Sequence, residues 1–200
     1  MRKRIISTAL FLTVLLLMPI TAIAAGSGTF PDVPEDAGYA EAVEALAELG
    51  VLQGDNAGNF NPNSTITRAE AATIICRLLG VEEQAQARKD SVFTDVPSSH
   101  WAVGYIAEVV ELGIVNGYGN EMFGSSDPVT QQQMIKMLVC AWGYKYDAER
   151  FGDWPNGYIQ VAENLGIIED ADYISDAAAS RSMVAEWAYN ILYIDPYVEG

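Results

Sequence analysis

Phe30-Pro31-Asp32-Val33-Pro34 and Ile66-Thr67-Arg68-Ala69-Glu70 bracket a stretch that the chain writes twice. The first returns as Phe93-Thr94-Asp95-Val96-Pro97 and the second as Val129-Thr130-Gln131-Gln132-Gln133. Between them, Leu49-Gly50-Val51 returns as Leu112-Gly113-Ile114. Phe93 stands 63 residues after Phe30, Gly113 63 after Gly50 and Thr130 63 after Thr67. Chance similarity does not hold one register over so many positions, so the chain is a tandem repeat. A third, shorter copy keeps Leu165-Gly166-Ile167 and Ser180-Arg181-Ser182-Met183. Counting back 12 residues from Gly113 and Gly166 reaches Trp101 and Trp154, and counting back 8 reaches Tyr105 and Tyr158. Phe151 and Asp153 imitate the opening motif, but the Trp alignment sets Asp153 opposite His100. The third copy therefore lacks the opening Asp.

Each copy reads as two short helices. Trp101, Tyr105, Val109 and Leu112 recur at spacings of four and three, as do Tyr158, Ala162 and Leu165, which puts them on one helical face. Gly50, Gly113 and Gly166 each follow a Leu where a left-handed residue ends a helix. Turn residues such as Asp55-Asn56-Ala57-Gly58-Asn59 come next. The second helix carries Ile74, Ile75, Leu78 and Leu79; its counterparts carry Met134, Met137, Leu138 and Ala141, then Val184, Ala188, Ile191 and Leu192. Two such helices cannot bury both apolar faces alone, whereas three pairs packed around a shared axis can. The sequence predicts one all-α body of three helix-loop-helix units. The units span 28–81, 91–144 and 145–193, with a polar, helix-permissive linker at 82–90 and a tail at 194–200.

The motif ahead of each second helix has two parts. Thr67 with Glu70, and Thr130 with Gln133, form capping boxes in which the hydroxyl reaches the N3 amide and the N3 side chain returns to the cap amide. The third unit keeps Ser180 but has Met183 where the returning group should be. Arg68 and Arg181 both sit at the first helical position, where the helix dipole disfavours a cation. Two readings of them stand side by side: a salt bridge to a nearby carboxylate, or a clamp on an external carboxylate or phosphate beside free helix amides.

Met1-Arg2-Lys3-Arg4, an apolar run from Ile5 to Ile20 and the small-residue sequence Thr21-Ala22-Ile23-Ala24-Ala25 have the layout of a secretory signal peptide at 1–24, cleaved after Ala24 or Ala25. The apolar run is short for a bilayer span, and no later segment is longer, so no membrane span is expected after cleavage. Residues 1–24 hold three basic and no acidic groups, so removing them takes the formal net charge from −16 to −19. A surface this acidic repels nucleic acid, and any polyanion must be held by a few placed cations. The two cysteines, Cys76 and Cys140, read as buried thiols, with a disulfide as the alternative.

Phe-x-Asp-Val-Pro, then Trp-Ala, then Leu-Gly-Ile, then a Gly/Asn loop ending in Phe and Ile-Thr-Arg-Ala-Glu resembles the S-layer homology domain over residues 28 to about 193. The resemblance implies a pseudo-threefold, three-pronged bundle whose inter-unit grooves bind a secondary cell wall polysaccharide, often one bearing ketal-linked pyruvate. It implies a secreted, non-catalytic module at the bacterial cell surface, in the cell wall or S-layer. It also implies contacts from Arg68 and Arg181, supported by Trp101, Trp154, Asp32 and Asp95. From the residues alone, the better reading of Trp101 and Trp154 is as core aromatics at a helix start. Three departures make three equal grooves unexpected. Gln131 replaces the motif Arg in unit two, Gly38 stands in unit one where the others have Trp, and unit three lacks the opening Asp.

Other readings are weaker. Asp55, Asn59, Asn61 and Asn63 alternate like calcium ligands, but Phe60 and Ile66 fill the positions that an EF-hand loop gives to Gly and Glu. No Ser-His-Asp pattern, metal spacing or phosphate loop appears, so neither an enzyme nor a bound cofactor is expected. A surface scaffold whose acidic face binds other surface-layer proteins is the alternative function.

Overall fold

The computed structural model describes residues 29–171 and 174–197. The signal segment read at 1–24 lies outside them. Regular structure among the described residues is helical throughout, as the sequence predicts. The helices are α1 (Ala40–Glu48), α2 (Arg68–Leu78), α3 (Glu82–Ala87), α4 (Val103–Glu111), α5 (Gln131–Ala141), α6 (Lys145–Arg150), α7 (Asn156–Leu165) and α8 (Arg181–Asn190), with a 3-10 turn at Ile191–Tyr193.

The local signals act where the sequence places them. Thr67 and Thr130 each accept from the N3 amide, while Glu70 and Gln133 return to the cap amide. Ser180 accepts from the Met183 amide without a returning partner. Gly50, Gly113 and Gly166 adopt φ of 73°, 71° and 76°, the left-handed region that lets the chain leave the first helix of each unit. Within the helix-permissive segment 82–90, α3 packs on α4, and Arg88 pairs with Glu108 and Glu111.

Packing between units runs in one cyclic sense. The second helix of each unit lies on the first helix of the next, α2 on α4, α5 on α7 and α8 on α1. Where the three second helices begin, the chain closes a ring of backbone hydrogen bonds. The Ile66 amide donates to the Ala179 carbonyl (3.4 Å), Ala179 to Val129 (2.9 Å) and Val129 to Ile66 (2.9 Å). All three residues are buried, so water does not reach these groups and the ring is what satisfies them.

The first amide of each second helix has no partner within its own helix. Arg68 donates instead to Asp127 O, Gln131 to Ala177 O and Arg181 to Ser64 O, each in a neighbouring unit's loop (2.9 Å each). Ala69 and Ser182 add bonds to Ser125 O and Pro62 O. The amides read from sequence as free for an external anion are therefore occupied by a neighbouring loop. Each unit's second helix is completed by another unit.

Candidate functional site

The opening Asp of each of the first two units fixes the loop that follows its first helix. Asp32 accepts from the Phe60 and Asn61 amides (2.7 and 2.6 Å). Asp95 accepts from Phe123 and Gly124 (2.9 and 2.7 Å). The opening aromatic packs on the loop's aromatic, Phe30 on Phe60 and Phe93 on Phe123. Both carboxylates are thus spent on loop amides and shape the groove from behind. Burial pushes the Asp95 carboxyl up, but the amide bonds outweigh it and hold the group below its usual range. A depressed folded-state pKa gives stability that is present above the unfolded value of about 3.9 and lost as pH falls through the folded one. Urea midpoints are therefore expected to fall on acidification below about pH 4, and less steeply in Asp95→Asn.

The two motif arginines stack into these loops from the preceding unit in the cycle. Arg68 places its Nε on Phe123 O and an Nη on Asn116 O (2.9 Å each), between the rings of Tyr118 (4.5 Å) and Phe123 (4.6 Å). It is only 4% exposed. Arg181 repeats the arrangement in unit one, with Nε on Phe60 O (2.6 Å), Nη on Gln53 O (2.8 Å) and its guanidinium over Phe60 (4.7 Å). Neither guanidinium forms an ion pair among the described residues. Burial lowers both pKa values, and the carboxylates around them only partly offset it. In unit two, Gln131 makes the loop contact without charge, its Oε1 accepting from the Ser175 amide (3.0 Å).

Trp101 and Trp154 are not core residues. They are 61% and 45% exposed, because each sits just ahead of its helix on the rim between units. The first junction holds a groove of about 370 Å³ that draws on all three units. Unit one supplies the loop from Val51 to Asp55 and Thr73, Ile74 and Arg77 of α2; unit two supplies Trp101 and unit three Arg181. Arg181 is half-buried here and presents its outer edge to the groove.

The same cyclic rule places Arg68 and Trp154 at the second junction, but Tyr118 stands where unit one has Asp55. Its ring lies across Gly124, reaching within 2.4 Å of where a Cβ there would be, and shuts Arg68 in. Lys136 is half-buried at this junction, its ammonium 5.5 Å from the Trp154 ring centroid and 5.4 Å from that of Tyr158. The third junction has Gln131, Gly38 and Glu186. Of the six residues singled out from sequence, Trp101 and Arg181 share the first groove, Trp154 stands exposed at the second junction, and Arg68, Asp32 and Asp95 are engaged with the loops behind. Arg77, Lys136, Tyr118 and Glu186 went unnoticed. The 63-residue offset pairs Tyr118 with Asp55 and Lys136 with Thr73, which is the signal that would have found those two.

The remaining polar features are structural. Asp55 accepts from the Ala57 and Asn59 amides and from the Asn61 side chain, as a turn residue does. Its carboxyl is held below the usual range chiefly by the Asn59 amide. His100 accepts from the Ala102 amide and stacks on Trp101. Cys76 and Cys140 are free thiols, the first buried against Tyr105 O. No helix among the described residues is long and apolar enough to cross a membrane.

Segments 29–72 and 92–135 match the S-layer homology domain. A cell surface protein of Thermoanaerobacter kivui is 34% identical over 80% of this chain and 21% of its own length. The surface-layer 125 kDa protein of Lysinibacillus sphaericus is 36% identical over 74% of this chain and 13% of its own. The exoglucanase XynX of Acetivibrio thermocellus is 29% identical over 83% of this chain and 16% of its own. The chain thus spans about a fifth or less of the length of these relatives.

Proposed function

We propose, from the premise that two segments of this chain match the S-layer homology domain, that all three units act together as a secreted, non-catalytic module anchoring it at the bacterial cell surface. Its ligand in this reading is an anionic secondary cell wall polysaccharide, with ketal-linked pyruvate as the acidic group. The first groove carries the argument. An exposed indole, Trp101, offers a face for the apolar side of a sugar ring. Arg181, with no ion pair among the described residues, offers a fixed fork for the acidic substituent inside a partly desolvated cleft. The net charge of −16 excludes general attraction to a polyanion, so recognition falls to this built cation. The reading gives His100 a structural part, since it accepts from the Ala102 amide at a helix start.

Co-sedimentation with purified walls tests the reading. The protein is expected to pellet with intact walls and to stay in solution once the secondary polymer is stripped. Retention on bare peptidoglycan, or capture only through another surface protein, would overturn it. Arg181→Ala and Trp101→Ala are each expected to weaken binding about tenfold or more, the loss of a charged hydrogen bond or of a stacking face. Trp101 is exposed, so its substitution leaves the fold intact and separates binding from stability.

A further inference from the structure

The residue six places after each helix cap differs in charge from unit to unit: Thr73 after Thr67, Lys136 after Thr130 and Glu186 after Ser180. All three face the same partner, the tryptophan position of the next unit in the cycle. Thr73 lines the first groove with Trp101. Lys136 stands over Trp154 and Tyr158. Glu186 comes within 3.9 Å of where a Cβ on Gly38 would lie, Gly38 being unit one's counterpart of the tryptophans. The same wall position is thus neutral, cationic and anionic in turn.

The consequences differ because the motif residue behind each wall differs too. In the first groove Arg181 is accessible and Thr73 leaves it room. At the second junction, Tyr118 encloses Arg68, so Lys136 is the cation left on the wall. It has no ion pair among the described residues, and an ammonium held near aromatic faces keeps its hydrogens available to a ligand. At the third, Gln131 contributes no charge. Burial and then Glu169 push the Glu186 carboxyl up, so negative charge is already disfavoured there, and a second anion is worse placed still.

We propose that this position sets the charge preference of each junction: Lys136 makes the second junction a site for a carboxylate-bearing saccharide without the motif arginine, and Glu186 closes the third to acids. The inference rests on the saccharide-binding reading of the grooves. Trp101 and Trp154 allow the two to be tested apart, because their indole N–H resonances report on the first groove and on the second junction separately. The titrant is a methyl glycoside carrying ketal-linked pyruvate. Both indole signals of the wild-type protein are expected to shift. In Lys136→Glu the Trp154 response should weaken about tenfold or more while the Trp101 response persists. Lys136→Gln, which keeps the length without the charge, should fall between. Glu186→Lys should add a binding event, seen as higher stoichiometry by calorimetry. Shifts at both indoles that Lys136→Glu and Lys136→Gln leave unchanged would overturn this inference alone. No shift at either indole in the wild type would overturn the saccharide reading and this inference with it.

Discussion

Arg68→Ala is expected to destabilise the protein by about 3–5 kcal/mol, an unusually large loss for one charged side chain. The guanidinium donates to the Phe123 and Asn116 carbonyls from a site where it is only 4% exposed. Truncation leaves the buried Phe123 carbonyl without this donor and empties the space beside the Tyr118 and Phe123 rings. An unsatisfied buried acceptor alone costs about 1–3 kcal/mol, and the lost packing adds to it. Arg68→Lys should recover little, because an ammonium cannot span both carbonyls while lying flat between two rings. Urea denaturation measures both variants. A loss below about 1 kcal/mol for Arg68→Ala would show that the loop holds itself without the bridge.

That expectation separates two arginines that are indistinguishable in sequence. Both occupy the first position of a capped helix and both reach a neighbouring loop, yet one is walled in and the other edges a groove. The difference lies in the receiving loop, where Tyr118 replaces Asp55. Nothing near Arg68 in the chain records this, since the covering ring comes from the next unit.

Features determined within a few residues were legible from sequence: the capping boxes at Thr67 and Thr130, the left-handed Gly50, Gly113 and Gly166, and the apolar helix faces. Their physics is local, so repeats at one register expose it. The cyclic ring through Ile66, Val129 and Ala179 was not legible, because backbone bonds between units leave no residue signature. Nor were the roles of Asp32 and Asp95. An Asp placed to contact a ligand and an Asp spent on two loop amides look the same until the loop's path is known. For Trp101 and Trp154 only the core reading fails: their spacing joins an apolar face, but each stands two residues ahead of its helix and so on the rim.

Gly104→Ala is the substitution for which helix propensity and packing point in opposite directions. Gly104 lies inside α4, where alanine would ordinarily be favoured by about 1 kcal/mol. A Cβ there would fall 1.9 Å from the Ala85 carbonyl oxygen and 2.9 Å from its carbon. These are backbone atoms of α3, which cannot turn aside as a side chain can. Gly157 in α7 meets the Ala148 carbonyl of α6 in the same way, at 2.0 Å. Each glycine is therefore the seat on which a short preceding helix crosses the first helix of its unit. Either Gly→Ala change is expected to lower stability by about 3 kcal/mol or more, the overpacking cost outrunning the propensity gain. In unit one the equivalent position is Glu41, an exposed residue with no such crossing helix between residue 29 and α1, which makes Glu41→Ala the control. The effect should reach the first groove as well, because α3 carries Glu82. Glu82 accepts from Arg77 on the groove wall (3.0 Å) and from the Tyr105 hydroxyl (2.7 Å). Displacing α3 frees Arg77 and shifts α4, the helix that follows Trp101, so Gly104→Ala should impair wall binding even under conditions where the protein remains folded. Thermal melts paired with co-sedimentation check both halves. A Gly104→Ala protein that melts at or above wild type would mean that α3 is seated loosely enough to yield, and the rigid link between the segment 82–87 and the groove would then be withdrawn.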